Sequence, residues 1–171
     1  MGLKMTMKTY EYHVWANKKV FGRLRELPDV LIHQPVQDVF PTIYAGLEHI
    51  YMFDNVWLMV MKGSTMEEVQ TVLPGVVAET KNSSLNVNEL EFLFEGLASR
   101  YREFLGSGED LLTVKQFHHP VYGVLHASLF ELVQHVVNHD TYHRGNISSM
   151  IRQLGHAGAA SDMVFYYYDL Q

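Results

Sequence analysis

The sequence predicts an all-α protein: a four-helix bundle with a long crossover between the second and third helices. Three observations predict it. Apolar residues recur at spacings of three and four over four long segments. No stretch alternates apolar and polar residues convincingly enough to make a sheet. The connection from Gly63 to Leu85 is long enough to cross the bundle and let the second and third helices run parallel.

The first helix carries Leu3, Met7, Tyr10, Val14, Phe21 and Leu24 on its apolar face, and Pro28 stops it. The second opens near Pro41 and Thr42, where proline suits a first turn, and ends at Gly63 and Ser64. Its stripe runs through Ala45, His49, Met52, Val56 and Met59. Next comes "LPGVV" and "KNSS", which reads as loop. The third helix starts after Asn86, with Glu89 three residues on in the pattern of a capping box, and "GSGED" closes it. Within the long segment that follows, "LLTVKQF" can form a short strand. The fourth helix runs from about Val124 to Leu154, with Gly155 as its stop. Gly145 lies inside it, which points to close packing there. No internal repeat or boundary divides the chain, so one domain over residues 1–171 is expected.

Composition narrows the chemistry. There is no cysteine, which excludes disulfides, thiolate metal sites and a cysteine nucleophile. The net charge is −6 and the most basic stretch is "NKKVFGRLR", read as a solvated helix face, so no nucleic-acid partner is expected. No apolar run approaches the roughly 20 residues that span a bilayer, and the N-terminal stretch lacks the apolar core of a signal peptide. A cytoplasmic protein with no membrane partner is expected. Ten histidines is a high number for 171 residues, and it asks for an explanation.

Three of them, His135, His139 and His143, stand four apart in "HVVNHDTYHRGNI". A helix turns ~100° per residue. With His139 at zero, Leu132, Val136, Met150 and Leu154 fall between about +20° and +60°, and His143 lies near +40° within that stripe. His135 falls near −40°, at its edge. His139 and His143 are therefore the inward pair. His49, on the stripe of another helix, is the obvious third imidazole. Three neutral histidines with one open position is an arrangement that catalytic zinc uses. A carboxylate-bridged dimetal site needs Glu-x-x-His pairs, and none occurs. Asp140, Tyr142 and Arg144 are the nearest polar groups for orientation or substrate contact. Solvated or supporting roles weigh more than catalytic ones for these three. His13, His33 and His156 read as surface or helix-end residues. His118, His119 and His126 are candidates for a pocket mouth, and Tyr51 and Trp57 read as core.

Four stretches resemble the DinB family. "YHVWANKKVFGRLRELP" is similar to its opening helix, and "IYAGLEHIYMFDNVWL" to a second helix in which one histidine precedes a tryptophan. "HVVNHDTYHRGNISSMIRQLG" is similar to its most distinctive motif, and "SDMVFYYYDL" to its closing segment. Many members carry a second histidine where Tyr142 stands. The resemblance implies up-down-down-up order and a divalent metal, Zn²⁺ or Ni²⁺, on His49, His139 and His143. It implies a homodimer acting on a small-molecule substrate. Relatives are described as metal-dependent hydrolases, and some use low-molecular-weight thiols such as bacillithiol or mycothiol. The leading expectation is a thiol S-transferase in which a metal-activated thiol attacks a small electrophile. The alternatives are a metal-dependent hydrolase and a metal-stabilised bundle that binds a ligand without turnover.

Overall fold

A computed structural model describes residues 2–81 and 85–171. The protein is mostly helical. Its elements are α1 (Gly2–Arg25), a short 3₁₀ turn (Asp29–His33), α2 (Ile43–Met61), α3 (Met66–Lys81), α4 (Val87–Leu105), β1 (Val114–His119), β2 (Gly123–Ser128), α5 (Leu129–Gln153) and α6 (Met163–Asp169). The predicted third and fourth helices are α4 and α5. Helix α1 packs against α5 and α4, while α2 packs against α5 and α3. One apolar core joins them, with Phe21, Leu47, Leu90, Tyr101, Val133 and Ile147 all at 2% exposure or less.

The helix starts follow from their side-chain caps. Thr42 accepts a hydrogen bond from the Ala45 amide and opens α2. Asn86 and Glu89 form the expected capping box on α4.

Four expectations are corrected. The stretch between Gly63 and Leu85 is not simply a loop, since α3 occupies most of it; the "KNSS" reading falls partly on residues 82–84, outside the described residues. Thr65 and Glu68 cap this helix reciprocally: the Thr65 amide donates to Glu68 at 2.8 Å, and the Glu68 amide donates to Thr65 Oγ1 at 3.2 Å. Pro74, in the "LPGVV" stretch expected as loop, lies within the helix. The carbonyl it leaves unpaired belongs to Gln70, an exposed residue that water can reach.

The fourth helix begins at Leu129, not Val124, because Ser128 caps it in a box with Glu131. Residues 123–128 instead form β2, antiparallel to β1 with Val114 opposite Ser128 and His119 opposite Gly123. The chain thus has a two-stranded sheet, and the strand expected in "LLTVKQF" is half of it. Gly123 sits at φ +82°, in the left-handed region that favours glycine at this turn.

On α2 the deeply buried stripe is Ile43, Leu47, Ile50, Asp54, Leu58 and Met61, whereas Ala45, His49, Met52, Val56 and Met59 are only half-buried. The expected stripe was turned to one side because α2 is apolar nearly all round, which blurs the phase. Finally, a Cβ at Gly145 would meet nothing within 4 Å, so no crowding requires this glycine. The closing segment forms α6, which lies against α1 through Tyr166 and an indole hydrogen bond from Trp15 to Asp169 at 2.9 Å. No helix among the described residues is long and apolar enough to cross a membrane.

Candidate metal centre and the network behind it

Helix α2 brings His49, and α5 brings His139 and His143 one turn apart. One ring nitrogen from each lies within 4.8 Å of the others. The His49 and His143 ring centroids are 4.4 Å apart, as are those of His139 and His143. His143 is buried, while His49 and His139 are half-buried and face the outside of the core. His135 is exposed, and its ring packs on Trp57 at 4.5 Å.

The nitrogens carry the information. His139 Nδ1 lies 3.1 Å from Asp140 Oδ1, an acidic acceptor that holds the proton on Nδ1 and leaves Nε2 as a lone pair. His139 Nε2 and His143 Nε2 face each other at 3.1 Å. That is close to the roughly 3.3 Å separating two nitrogens on one tetrahedral zinc. His49 Nε2 and His143 Nδ1 are buried without a hydrogen-bond partner. Burial pushes the His143 imidazolium down to about 4, helped by His139 and His49, and it lowers His49 too, with His139 adding to the shift. Both rings are thus neutral near neutral pH, the form that ligates a cation. The three-imidazole donor set and the unpartnered His49 Nε2 fit a divalent ion.

Aromatic rings border the three histidines. Phe40 lies 5.0 Å from His49 and 5.2 Å from His143, and Phe53 lies 4.5 Å from His49. Phe40 can approach because residue 46 is glycine: a Cβ there would stand 3.2 Å from the Phe40 ring. Tyr142 is 61% exposed beside His143.

Behind the histidines lies a second polar group that the sequence reading missed. His13, read above as a surface or end residue, is 2% exposed. Its Nε2 lies 3.2 Å from Asp54 Oδ2 and its Nδ1 lies 3.3 Å from Asp140 Oδ2. Asn17 reaches His13 from one turn along α1, and Arg144 donates to Asn17 Oδ1 at 3.0 Å and to Thr141 Oγ1 at 2.8 Å. Asp140 and Arg144 are buried at 0% and 2% exposure, so neither is solvated. His13, Asp54 and Asp140 also bring donor atoms within 4.8 Å. The Arg144 guanidinium, 3.4 Å from His13 Nδ1, already supplies a fixed positive charge there, which disfavours a second cation. Burial pushes the His13 imidazolium down to about 4 and the Asp54 carboxyl up to about 7. A neutral pair sharing one proton is thereby favoured.

Two signals pointed to this group. His13 lies three residues after Tyr10 and four before Asn17, on the apolar face of α1. Asp54 is the lone carboxylate in the apolar run "YMFDNVWLMV".

The DinB family model matches residues 1–169. The chain belongs to the DinB family. Protein DinB of Bacillus subtilis (strain 168) is 42% identical over 159 residues, covering 93% of this chain and 91% of the relative. This DinB-family chain therefore has a His-rich group compatible with a divalent metal on its α2–α5 side. Of the polar groups considered for substrate contact, only Tyr142 is exposed beside it. His118 and His119 line a separate groove between β1 and the α2–α3 turn, whereas His126 lies on the exposed face of β2.

Proposed function

We propose that this DinB-family protein is a thiol S-transferase whose His49, His139 and His143 hold Zn²⁺ or Ni²⁺. One observation carries the metal part: three imidazole nitrogens converge within 4.8 Å, and His49 keeps a buried Nε2 without a partner. A divalent ion held there would lower the pKa of a thiol or water bound to it towards neutrality. The chain has no cysteine, so the thiol comes from outside, and a low-molecular-weight thiol such as bacillithiol is our choice of cosubstrate. In the reaction, the thiolate sulfur forms a bond to an electrophilic carbon, and the leaving group departs with the electron pair of the bond it breaks.

The chain's own residues prepare that step. Asp140 fixes the His139 ring by accepting its Nδ1 proton. Phe40 and Phe53 shield the histidines from water and favour a small apolar electrophile. Tyr142, exposed at the rim, is the group we assign to substrate orientation, through its hydroxyl. Arg144 and Asp140 are too buried to touch substrate. The same reading includes a single domain, an up-down-down-up bundle of α1, α2, α4 and α5, and a homodimer in the cytoplasm; light scattering tests the last assembly directly.

Elemental analysis of the purified protein tests the metal. One equivalent of divalent ion per chain is expected, and His139→Ala should lose it. A wild-type protein that neither retains nor rebinds stoichiometric metal overturns the site. Turnover is tested by mixing the loaded protein with bacillithiol and a panel of chloro- and epoxide electrophiles. Metal-dependent thioether formation is expected. Hydrolysis without thioether would favour a hydrolase, and neither product would favour a ligand-binding protein.

A further inference from the structure

The opening-helix residues His13 and Asn17 take no part in the chemistry above, yet both are buried. From His139 a line of close polar contacts runs inward. His139 Nδ1 meets Asp140 Oδ1 at 3.1 Å, Asp140 Oδ2 meets His13 Nδ1 at 3.3 Å, and His13 Nε2 meets Asp54 Oδ2 at 3.2 Å. Asp54 lies five residues beyond His49 on the same helix. The line therefore starts on the helix that carries two of the three site histidines, passes through α1, and ends on the helix that carries the third.

We propose that His13 is a positioning residue for the three-histidine site, holding the Asp140 carboxylate so that His139 presents Nε2 and tying α2 to α5 across α1. The inference rests on the metal site proposed above. Its physical basis is the freedom of a carboxylate. Asp140 is fully buried, and its Oδ2 has no hydrogen-bond partner; it lies 3.3 Å from His13 Nδ1, a polar contact that limits where the carboxylate can turn. Without His13 the carboxylate can rotate about its last bond, and the His139 ring it orients can turn with it. His13 is in turn fixed at both nitrogens, Nε2 by the Asn17 amide at 3.2 Å and Nδ1 by Arg144 at 3.4 Å, with the Asp54 and Asp140 carboxylates beside them. Removing partners that orient ligand histidines typically weakens metal binding by about 10–100-fold.

His13→Phe removes both ring nitrogens and their polar contacts while keeping an aromatic ring in the space, and Asp54→Asn is the second variant. Two measurements are made on each. In metal-free protein, ring ¹⁵N shifts report the His139 tautomer. Wild type should show a single Nδ1–H form, and both variants a mixture. In Co²⁺ titrations monitored by visible absorption, the variants should bind about 10–100-fold more weakly, with altered bands. Leu97→Ala, a core change on α4, serves as the control: it should lower the melting temperature but leave tautomer, Co²⁺ affinity and spectrum as in wild type. A single unchanged His139 tautomer in both variants, with wild-type Co²⁺ binding, overturns the inference and leaves the metal site standing. Absence of Co²⁺ binding by wild type overturns the metal site, and the metal-free tautomer measurement still decides the role of His13. Should His13→Phe fail to fold, Asp54→Asn alone carries the decision.

Discussion

At the residue scale, the candidate centre shows which positions tolerate change. Gly145 lies on the exposed side of α5, two residues from His143, and a methyl group there meets nothing. Gly145→Ala should therefore stabilise the protein by ~1 kcal/mol, the ordinary helix preference for alanine, raising the melting temperature by a few degrees. A lowered melting temperature would show that this glycine has a structural task the geometry does not reveal. Helical spacing placed His139 and His143 on one side of α5 and left His135 outside, and the observed burial follows that order. His13 escaped because a polar residue on an apolar face was given its commonest explanation. Its partners Asp54 and Asp140 lie on other segments of the chain, and no local pattern joins them. Hydrogen bonds between distant residues leave little trace in spacing.

At the element scale, α3 shows why punctuation residues mislead. Proline and glycine at positions 74 and 75 suggest a loop, yet the Thr65–Glu68 box starts a helix and Val69 and Val76 bury one side of it. Thr65→Ala should cost about 1 kcal/mol through the lost cap. The loss should appear as faster hydrogen exchange over residues 66–70, with α4 amides unchanged. Equal acceleration throughout the chain would mean that α3 opens only with the whole fold. The same S/T-x-x-E signal, Ser128 to Glu131, fixes the start of α5. Both boxes were legible in the sequence. What outweighed the second was the largely apolar lettering of "GVLHASLFELV", which fits strand and helix alike until pairing with β1 decides.

At the scale of the whole molecule, α6 offers a pH test. Asp169 accepts from the Trp15 indole and pairs with Lys19, and these hold its carboxyl below the usual range. A carboxyl whose pKa is lowered by folding stabilises the fold above its unfolded value, about 4, and loses that contribution as pH falls through the folded value. Asp169→Asn should thus melt below wild type at pH 7, and the gap should close on acidification below about pH 4. A gap independent of pH would assign the effect to packing rather than charge. Divalent metal should stabilise the wild type by about 2.7 kcal/mol at a free concentration one hundred times the Kd, seen as a raised melting temperature, and should leave His139→Ala unchanged. The buried group of His13, Asp54, Asp140 and Arg144 has one more consequence, for how the chain finds its register. If α5 docked one turn out of place, about 5.4 Å along its axis, Asp140 and Arg144 would both miss His13. Apolar side chains can repack after such a slip, but stranded buried charge costs about 3–5 kcal/mol. The polar group thereby works as a detent: it lets α5 settle against α1 and α2 in one position and makes the neighbouring positions expensive.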